Sequence, residues 1–416
     1  MKYFLLIICL YFSQLFAQNS DLAPRDLTGL RHLDQVPDLF NGIYDQYAKN
    51  YYNAAMTGRG NTGIAEKDRI NVATYNPAAY RSDKIHFSFE FTFKSEINEF
   101  NTENYYEHYN TNGELYKIET KPSVNMYKSP YPFTYLGIGF PATQGINYGV
   151  SYALNRSIQY DAFRRYRVDD VYWNKYPSFY EHYITLTVNK VLDNLTVGMN
   201  NILLIQDFSF YKTEGRNNDV SFTEFLYRPQ LGLLYDFSWL SVGASYKPKM
   251  EYSIGSSFVD FDAVYPTHIQ AGLAFSISQY IKPLFDIEYE RFSETSKELD
   301  DRLTYKIGVE LIDKVATLRA GYIFSPSIFE GEYRIKNYYE ENAIPEVHLS
   351  QLNRVPLTGK FKNTDLHLLT IGTTFELPSA TRFHLALVTD LTSHIERTQL
   401  MLNIEFNGET FKTSKK

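Results

Sequence analysis

Residues 58–63 read GRGNTG, so Gly58, Gly60 and Gly63 match G-x-G-x-x-G, and Asp83 stands about 20 positions further on. Between a strand and a helix, such glycines let a backbone approach a pyrophosphate, and the later acid holds a ribose. The flanks supply neither element. "YAKNYYNAAMT" before the glycines holds no apolar strand, and "IAEKDRINVATYNPAAY" after them meets Asn76–Pro77 before a long helix can form. Other reactive patterns are sparse. The nine histidines show no H-x-x-x-H spacing, and no G-x-S-x-G occurs. Glu288 and Glu290 share one face of an alternating stretch, Asp300 and Asp301 fall in a polar connection, and His182 and His394 lie near strand ends without an assignable serine. The sequence thus predicts no catalytic residues, no metal site and no cofactor. It does not read as an enzyme.

The glycines need a different context, and the rest of the chain supplies one. "MKYFLLIICLYFSQLFAQNS" has the charge, short apolar run and small residue of a secretory signal peptide, expected over 1–17. The one cysteine, Cys9, lies inside it, which leaves the mature chain no disulfide and no thiol nucleophile. A net charge of −7 and only short basic clusters give nucleic acid no electrostatic hold. Aromatic residues make up 16% of the 416 residues, with 36 tyrosines and 30 phenylalanines. Mean hydropathy is −0.35, and no later apolar run approaches the length of a spanning helix.

From about residue 84 the pattern has period two. In "HFSFEFTFK", Phe87, Phe89, Phe91 and Phe93 take one face, and Ser88, Glu90, Thr92 and Lys94 the other. "FDIEYER", "TRFHLALVTDL" and "QLMLNIEF" repeat this separation. About fourteen such strands start near residues 84, 133, 145, 180, 195, 225, 240, 267, 281, 303, 315, 366, 381 and 398. Their connections alternate between long and short, with the longest at about 97–132 and 327–365. An even strand number with short turns on one rim and long loops on the other describes an all-β transmembrane antiparallel barrel. Such a barrel pairs every backbone group that lies in hydrocarbon. A secreted soluble sandwich would alternate too, but it would bury the inner-face acids at several kcal/mol each. In a barrel those acids are expected to line a wet lumen.

"GRGNTGIA" followed by "NPAAY" and directly by the first strand resembles the FadL/TodX family of outer-membrane transporters of long-chain fatty acids and other hydrophobic compounds. "YPTHIQAGLAF", "FDIEYERF" and "TLRAGYIFSPS" are similar to later strands of that family, so the likeness spans roughly 55–406. A last strand ending at Phe406 resembles the aromatic-terminated strand by which such barrels are recognised for assembly, although a polar tail follows it. The resemblance implies a fourteen-stranded barrel with an N-terminal hatch inside the lumen, and an Asn-Pro-Ala motif, here Asn76, Pro77 and Ala78, on the ligand route. A lateral opening, which the family uses, is placed at Asn147 and Gly149 in "INYGVSY" on the small inward residue there.

The expected organisation is therefore signal peptide 1–17, periplasmic lead 18–57, hatch 58–83, barrel 84–406 and tail 407–416. Between the glycines and Asn76, residues Ile64, Ala65, Ile70, Val72, Ala73 and Tyr75 offer an apolar sealing surface. The expected function is passive uptake of a hydrophobic, fatty-acid-like small molecule across the outer membrane of a Gram-negative bacterium, with outer-membrane lipid around the barrel. The alternative is a docking or assembly component with a protein partner in a secretion system, for which the 18–57 lead and long loops leave room.

Overall fold

The computed structural model describes residues 50–94, 132–159, 178–209, 221–255, 260–295, 300–313, 316–326, 365–377, 381–391 and 398–407, with short loop strands between them. Fourteen strands close into one antiparallel barrel. They are β1 (His86–Lys94), β2 (Phe133–Thr143), β3 (Ile146–Gln159), β4 (Ser178–Leu192), β5 (Leu195–Ser209), β6 (Ser221–Asp236) and β7 (Leu240–Lys247), then β8 (His268–Phe275), β9 (Ile281–Glu290), β10 (Arg302–Ile312), β11 (Ala316–Ser325), β12 (Leu366–Glu376), β13 (Arg382–Asp390) and β14 (Thr398–Asn407). Each strand pairs with its neighbours in sequence, and β1 closes the ring against β14, from His86 opposite Asn407 to Lys94 opposite Gln399.

Alternation sets the two faces. Leu186, Val197, Leu203, Phe225, Leu231, Ile307, Leu318 and Ile371 lie on the outside, exposed as a lipid-facing surface requires. Ser88, Glu90, Thr187, Asn200, Gln230 and Glu288 point inward and are buried. One rim carries tight turns: Gln144 (φ 53°) and Gly145 (φ 74°) join β2 to β3, and Asp193 (φ 51°) turns β4 into β5. The long connections leave the other rim and include two-stranded pieces such as Met250–Gly255 with Asp260–Tyr265. The wall is uneven. β4 and β5 have 15 residues each and β6 has 16, whereas β7 and β8 have eight each. About ten residues suffice to cross the bilayer, so the β4–β6 side stands above it and the β7–β8 side is low. His182 marks the top of the tall side's apolar band, with Nδ1 2.9 Å from the Tyr152 hydroxyl and Nε2 3.3 Å from Asp207. Among the described residues no serine joins it; His394 lies outside them.

Candidate functional site: the filled lumen

Residues 50–80 lie inside the barrel, and 83–85 are exposed where the chain leads into β1. The segment enters high: Asn50 Nδ2 donates to the Leu154 carbonyl (2.9 Å) and to Ser157 Oγ (3.2 Å), toward the long-loop end of β3. One short helical turn, Ala54–Thr57, is capped by Asn53, whose side chain accepts from the Met56 N–H. The chain descends to the tight-turn rim at Glu66 and Lys67, which pair with Lys282 (2.8 Å) and Asp236. It crosses the lumen through Ile70–Thr74 and Pro77–Ala79 and enters β1. The buried stretch begins at least eight residues before Gly58; 1–49 and 408–416 lie outside the described residues.

Glycines let this segment press its backbone onto the wall. Gly60 (φ 75°) and Gly63 (φ 151°) take left-handed backbone that other residues resist. Gly58 (φ −61°) does not; there the need is for room, since a Cβ would lie 2.8 Å from the Gly372 Cα. The wall answers in kind. Nine of the fourteen strands carry an inward glycine beneath the segment, and several pair across strands: Gly139 with Gly149, Gly198 with Gly232, Gly243 with Gly272, Gly308 with Gly321. A methyl at Gly321 would overlap the Gly60 nitrogen, and one at Gly198 would sit 2.5 Å from the Ala78 nitrogen.

The inward acids are not in a wet lumen, as the alternation alone suggested; they are buried and engaged. Glu90 accepts the backbone N–H groups of Asn53 (2.9 Å) and Ala54 (2.7 Å), and Asp286 those of Gly63 (2.7 Å) and Ile64 (3.1 Å). Glu310 pairs with Arg59 (2.5 Å) and Arg319 (2.6 Å), and Glu405 with Arg69 (3.2 Å) and Asn71 Nδ2 (2.7 Å). On the opposite wall neutral amides donate to the segment's carbonyls. Asn200 reaches Ala73 (2.7 Å), Gln230 reaches Tyr75 (2.7 Å), and Asn189 reaches Pro77 (2.7 Å) and Tyr80 (2.9 Å). Burial opposes the charge of Arg59, but Glu310, Glu66 and Asp68 outweigh it and hold its pKa above the usual guanidinium value. Burial raises Glu66 above the ordinary carboxylate range against the pull of Arg59 and Lys282, and raises the Tyr80 phenol likewise.

The structure brings the motif residues together. Asn76 is extended (φ −140°, ψ 108°), as the following proline requires. Its Oδ1 accepts the Ala78 N–H (3.0 Å), while its Nδ2 donates to the carbonyls of Ile64 (2.7 Å) and Leu233 (3.0 Å). It therefore ties the glycine stretch, the Asn-Pro-Ala turn and β6 to one another. Asn147 donates to Asn189 Oδ1 (2.8 Å), and Gly149 pairs with Gly139 on one side and Thr187 on the other, beneath Ile70. Gly149 is paired on both sides, whereas Asn147 pairs with Asn189 of β4, and on its other side the β2–β3 register shifts between Phe140 and Thr143.

Above the segment, below the low rim, is a cavity of about 40 Å³. Tyr52 and Tyr75 of the segment form its floor, with ring centroids 5.4 Å apart. Tyr183, Tyr265, Arg156, Arg228 and Lys247 form much of its wall. His268, Glu288 and Glu290, a trio invisible to linear spacing, have potential ligand atoms within 4.8 Å of one another. Lys306 pairs with Glu288 and Arg302 with Glu290 (2.6 Å), so the trio belongs to an ion-pair cluster already neutralised by cations.

The closed barrel of fourteen strands has solved counterparts. The toluene transporter TodX of Pseudomonas putida is similar over 86% of this chain and 98% of its own, with a TM-score of 0.57 at 13% identity. CymD, a monoaromatic hydrocarbon channel, is similar over 84% and 95%, with a TM-score of 0.53 at 12% identity. The fold is that of the TodX-type channels. No protein-family model and no curated protein matches the sequence. The resemblance to the FadL/TodX family therefore holds at the level of the TodX-type fold. What sequence reasoning missed in this barrel is the glycine girdle. Its signal is one inward glycine in strand after strand, as in "KIGVEL", "RAGYIF" and "TIGTTF".

Proposed function

We propose that the protein is a passive channel for small hydrophobic compounds in the outer membrane of a Gram-negative bacterium, closed by residues 50–80 acting as a hatch. The observation that carries this reading is an apolar inner wall. Tyr135, Ala153, Tyr183, Ile202, Leu204 and Leu234 point inward from β2–β6 and form one buried cluster with Ile64, Ile70, Val72, Ala73 and Tyr75 of the segment. A water-filled pore is polar on its inner face. A wall that becomes apolar where a removable segment covers it suits a solute that avoids water, a fatty-acid-like compound or a monoaromatic such as those in the names of TodX and CymD. In this reading Gly58, Gly60 and Gly63 give the hatch its bends, and Asn76, Pro77 and Ala78 fix its far end along the solute's route. No feature among the described residues favours the docking alternative.

Locking the segment tests this. A Cβ added at Gly149 would overlap Ile70 Cδ1, 2.4 Å away, so in the double variant Ile70→Cys/Gly149→Cys the shorter side chain at 70 removes that carbon and leaves a cross-linkable pair. Uptake of radiolabelled toluene and oleate by intact cells is expected to stop on oxidation and return on reduction. Equal uptake by the oxidised and reduced forms would remove the hatch from the mechanism.

A further inference from the structure

The ladder between β7 and β8 stops at Lys247 opposite His268. Carried on by two rows, it would set Pro248 against Thr267 and Lys249 against Pro266, and a third row would set Met250 against Tyr265. That third row is the pair that opens the two-stranded piece Met250–Gly255 with Asp260–Tyr265. The two pieces are therefore one hairpin in one register, interrupted for two rows with a proline in each. Proline supplies no N–H to a ladder, and its ring fixes the backbone. One proline does not end a strand in this wall: Pro229 keeps its place opposite Asn201 in β6, and Pro283 opposite Val309 in β9. Here the prolines stand on both strands, in adjacent rows. Past the break the hairpin turns in over the lumen. Met250 and Tyr252 pack against the buried cluster that contains Tyr52, Tyr75 and Tyr183. Tyr265, 3% exposed, stacks on Tyr252 at 5.5 Å, and its hydroxyl is bonded to Glu181 of β4 and Gln206 of β5. Three strands of wall stand between β4 and β8, into which Tyr265 leads, so the hairpin leans over the mouth to make this contact.

The break is held from both sides. Arg228 of β6 donates from Nε to the Pro248 carbonyl (3.1 Å) and from Nη2 to the Pro266 carbonyl (2.5 Å), with the Tyr265 ring centroid 5.3 Å away. One guanidinium thus grips both interruptions. On the far side, the turn Phe292–Glu294 after β9 takes the second one: the Thr267 N–H donates to Glu294 Oε2 (2.8 Å), and the Arg291 N–H to the Thr267 carbonyl (3.0 Å). We infer, within the channel reading proposed above, that this hairpin is an outer lid, hinged at Pro248 and Pro266, clasped by Arg228 and placed in series with the hatch. The cavity of about 40 Å³ lies between the two, with Tyr265 and Pro266 on the lid side and Tyr52, Thr74 and Tyr75 on the hatch side. That is near the roughly 30 Å³ share of one water and far below the roughly 150 Å³ that holds a benzene ring. A solute does not fit between two closed barriers. Entry therefore lifts the lid while the hatch is still seated, and the solute meets Tyr52 and Tyr75 where Met250 and Tyr252 had packed. The two interrupted rows carry no ladder pair that must break first, so the clasp sets how readily the lid opens.

Labelling from outside the cell tests the lid. Thr74 lines the cavity beneath it, and Thr74→Cys is a small change in size. In intact cells, reaction of that thiol with a membrane-impermeant maleimide is expected to quicken at least about tenfold when Arg228→Gln is added, the usual scale for losing a charged hydrogen bond. Pro248→Thr/Pro266→Thr returns N–H groups to the interrupted rows, so the ladder can run through and the hairpin stand upright; it is expected to quicken labelling as well. Amide exchange of the detergent-solubilised full chain is expected to rise by the same factor across Met250–Gly255 and Asp260–Tyr265 in Arg228→Gln, with β6–β8 unchanged. Retained heat-modifiable gel mobility shows that each variant is a folded barrel. Unchanged labelling in either folded variant overturns the lid. Exchange that rises equally over β6–β8 overturns it too, because Arg228 would then be a prop of the wall. If the lid fails while the oxidised cysteine lock still stops toluene uptake, the channel reading stands alone. If both variants open the cavity while no solute shows lock-sensitive uptake, the channel reading fails, and with it the role of the lid on a solute route.

Discussion

Asn76 shows how much one side chain does in this lumen. A carboxamide offers an acceptor and two donors at once, and Asn76 uses them on the Ala78 N–H and on the carbonyls of Ile64 and Leu233. Alanine there removes a capping bond and the donor shared by two buried carbonyls. The combined cost is about 2 kcal/mol, or up to thirtyfold in local opening. Asn76→Ala is therefore expected to speed amide hydrogen exchange across residues 64–80 by that order while the strand amides keep their protection. Faster exchange spread evenly over the strands instead would show that Asn76 supports the barrel and not the seat of the segment. The extended backbone of Asn76 was legible from the Pro77 that follows it. The bonds to Ile64 and Leu233 were not, because they join residues 12 and 157 positions apart.

At the scale of elements, the lumen segment is held in two ways. Its first half has backbone N–H groups seated on carboxylates from β1 and β9, and Arg59 on Glu310 of β10. Its second half has carbonyls held by neutral amides from β4, β5 and β6. Charge-assisted bonds are the stronger kind, but removing one leaves more behind. Glu90→Ala would strand the N–H groups of Asn53 and Ala54, at about 1–3 kcal/mol each. Glu90→Gln keeps one acceptor oxygen and should fall between alanine and the parent. Met56 is fully buried next to this clamp, so a Met56→Cys background reports it. Labelling by a water-soluble maleimide is expected to quicken at least about tenfold with Glu90→Ala and less with Glu90→Gln. Identical labelling rates in all three would mean that Glu90 does not hold the segment down. Alternation placed Glu90 and Asp286 on the inner face, yet it assigned them water. Period two reports which way a side chain points and nothing about what fills the space it points into.

For the whole molecule, the barrel was the most legible part. Strand starts near 133, 195, 240, 281, 366 and 398 agree with the structure to the residue, because lipid on one face and polar contacts on the other enforce a strict alternation. The filling of the barrel was less so, since a segment packed through glycines, amides and salt bridges has no period. This division makes a prediction about independence. Every barrel strand pairs on both sides with other barrel strands, and β1 is joined to β2 and β14 without help from the segment. The inner surface that the segment covers is partly polar through Thr187, Asn200, Gln230, Asp286 and Glu310, and those groups lose a protein partner but gain water. Lipid-facing burial is untouched. Deleting residues 50–80 should therefore leave a folded, heat-modifiable barrel with a water-filled lumen, and single-channel recordings in planar bilayers should turn from closed to a steady open conductance. Small polar dyes, excluded by the parent, should leak through it. A deletion barrel that folds yet stays closed would mean that the long loops seal the lumen. A deletion that abolishes the barrel would mean that the glycine-lined wall needs its insert in order to form.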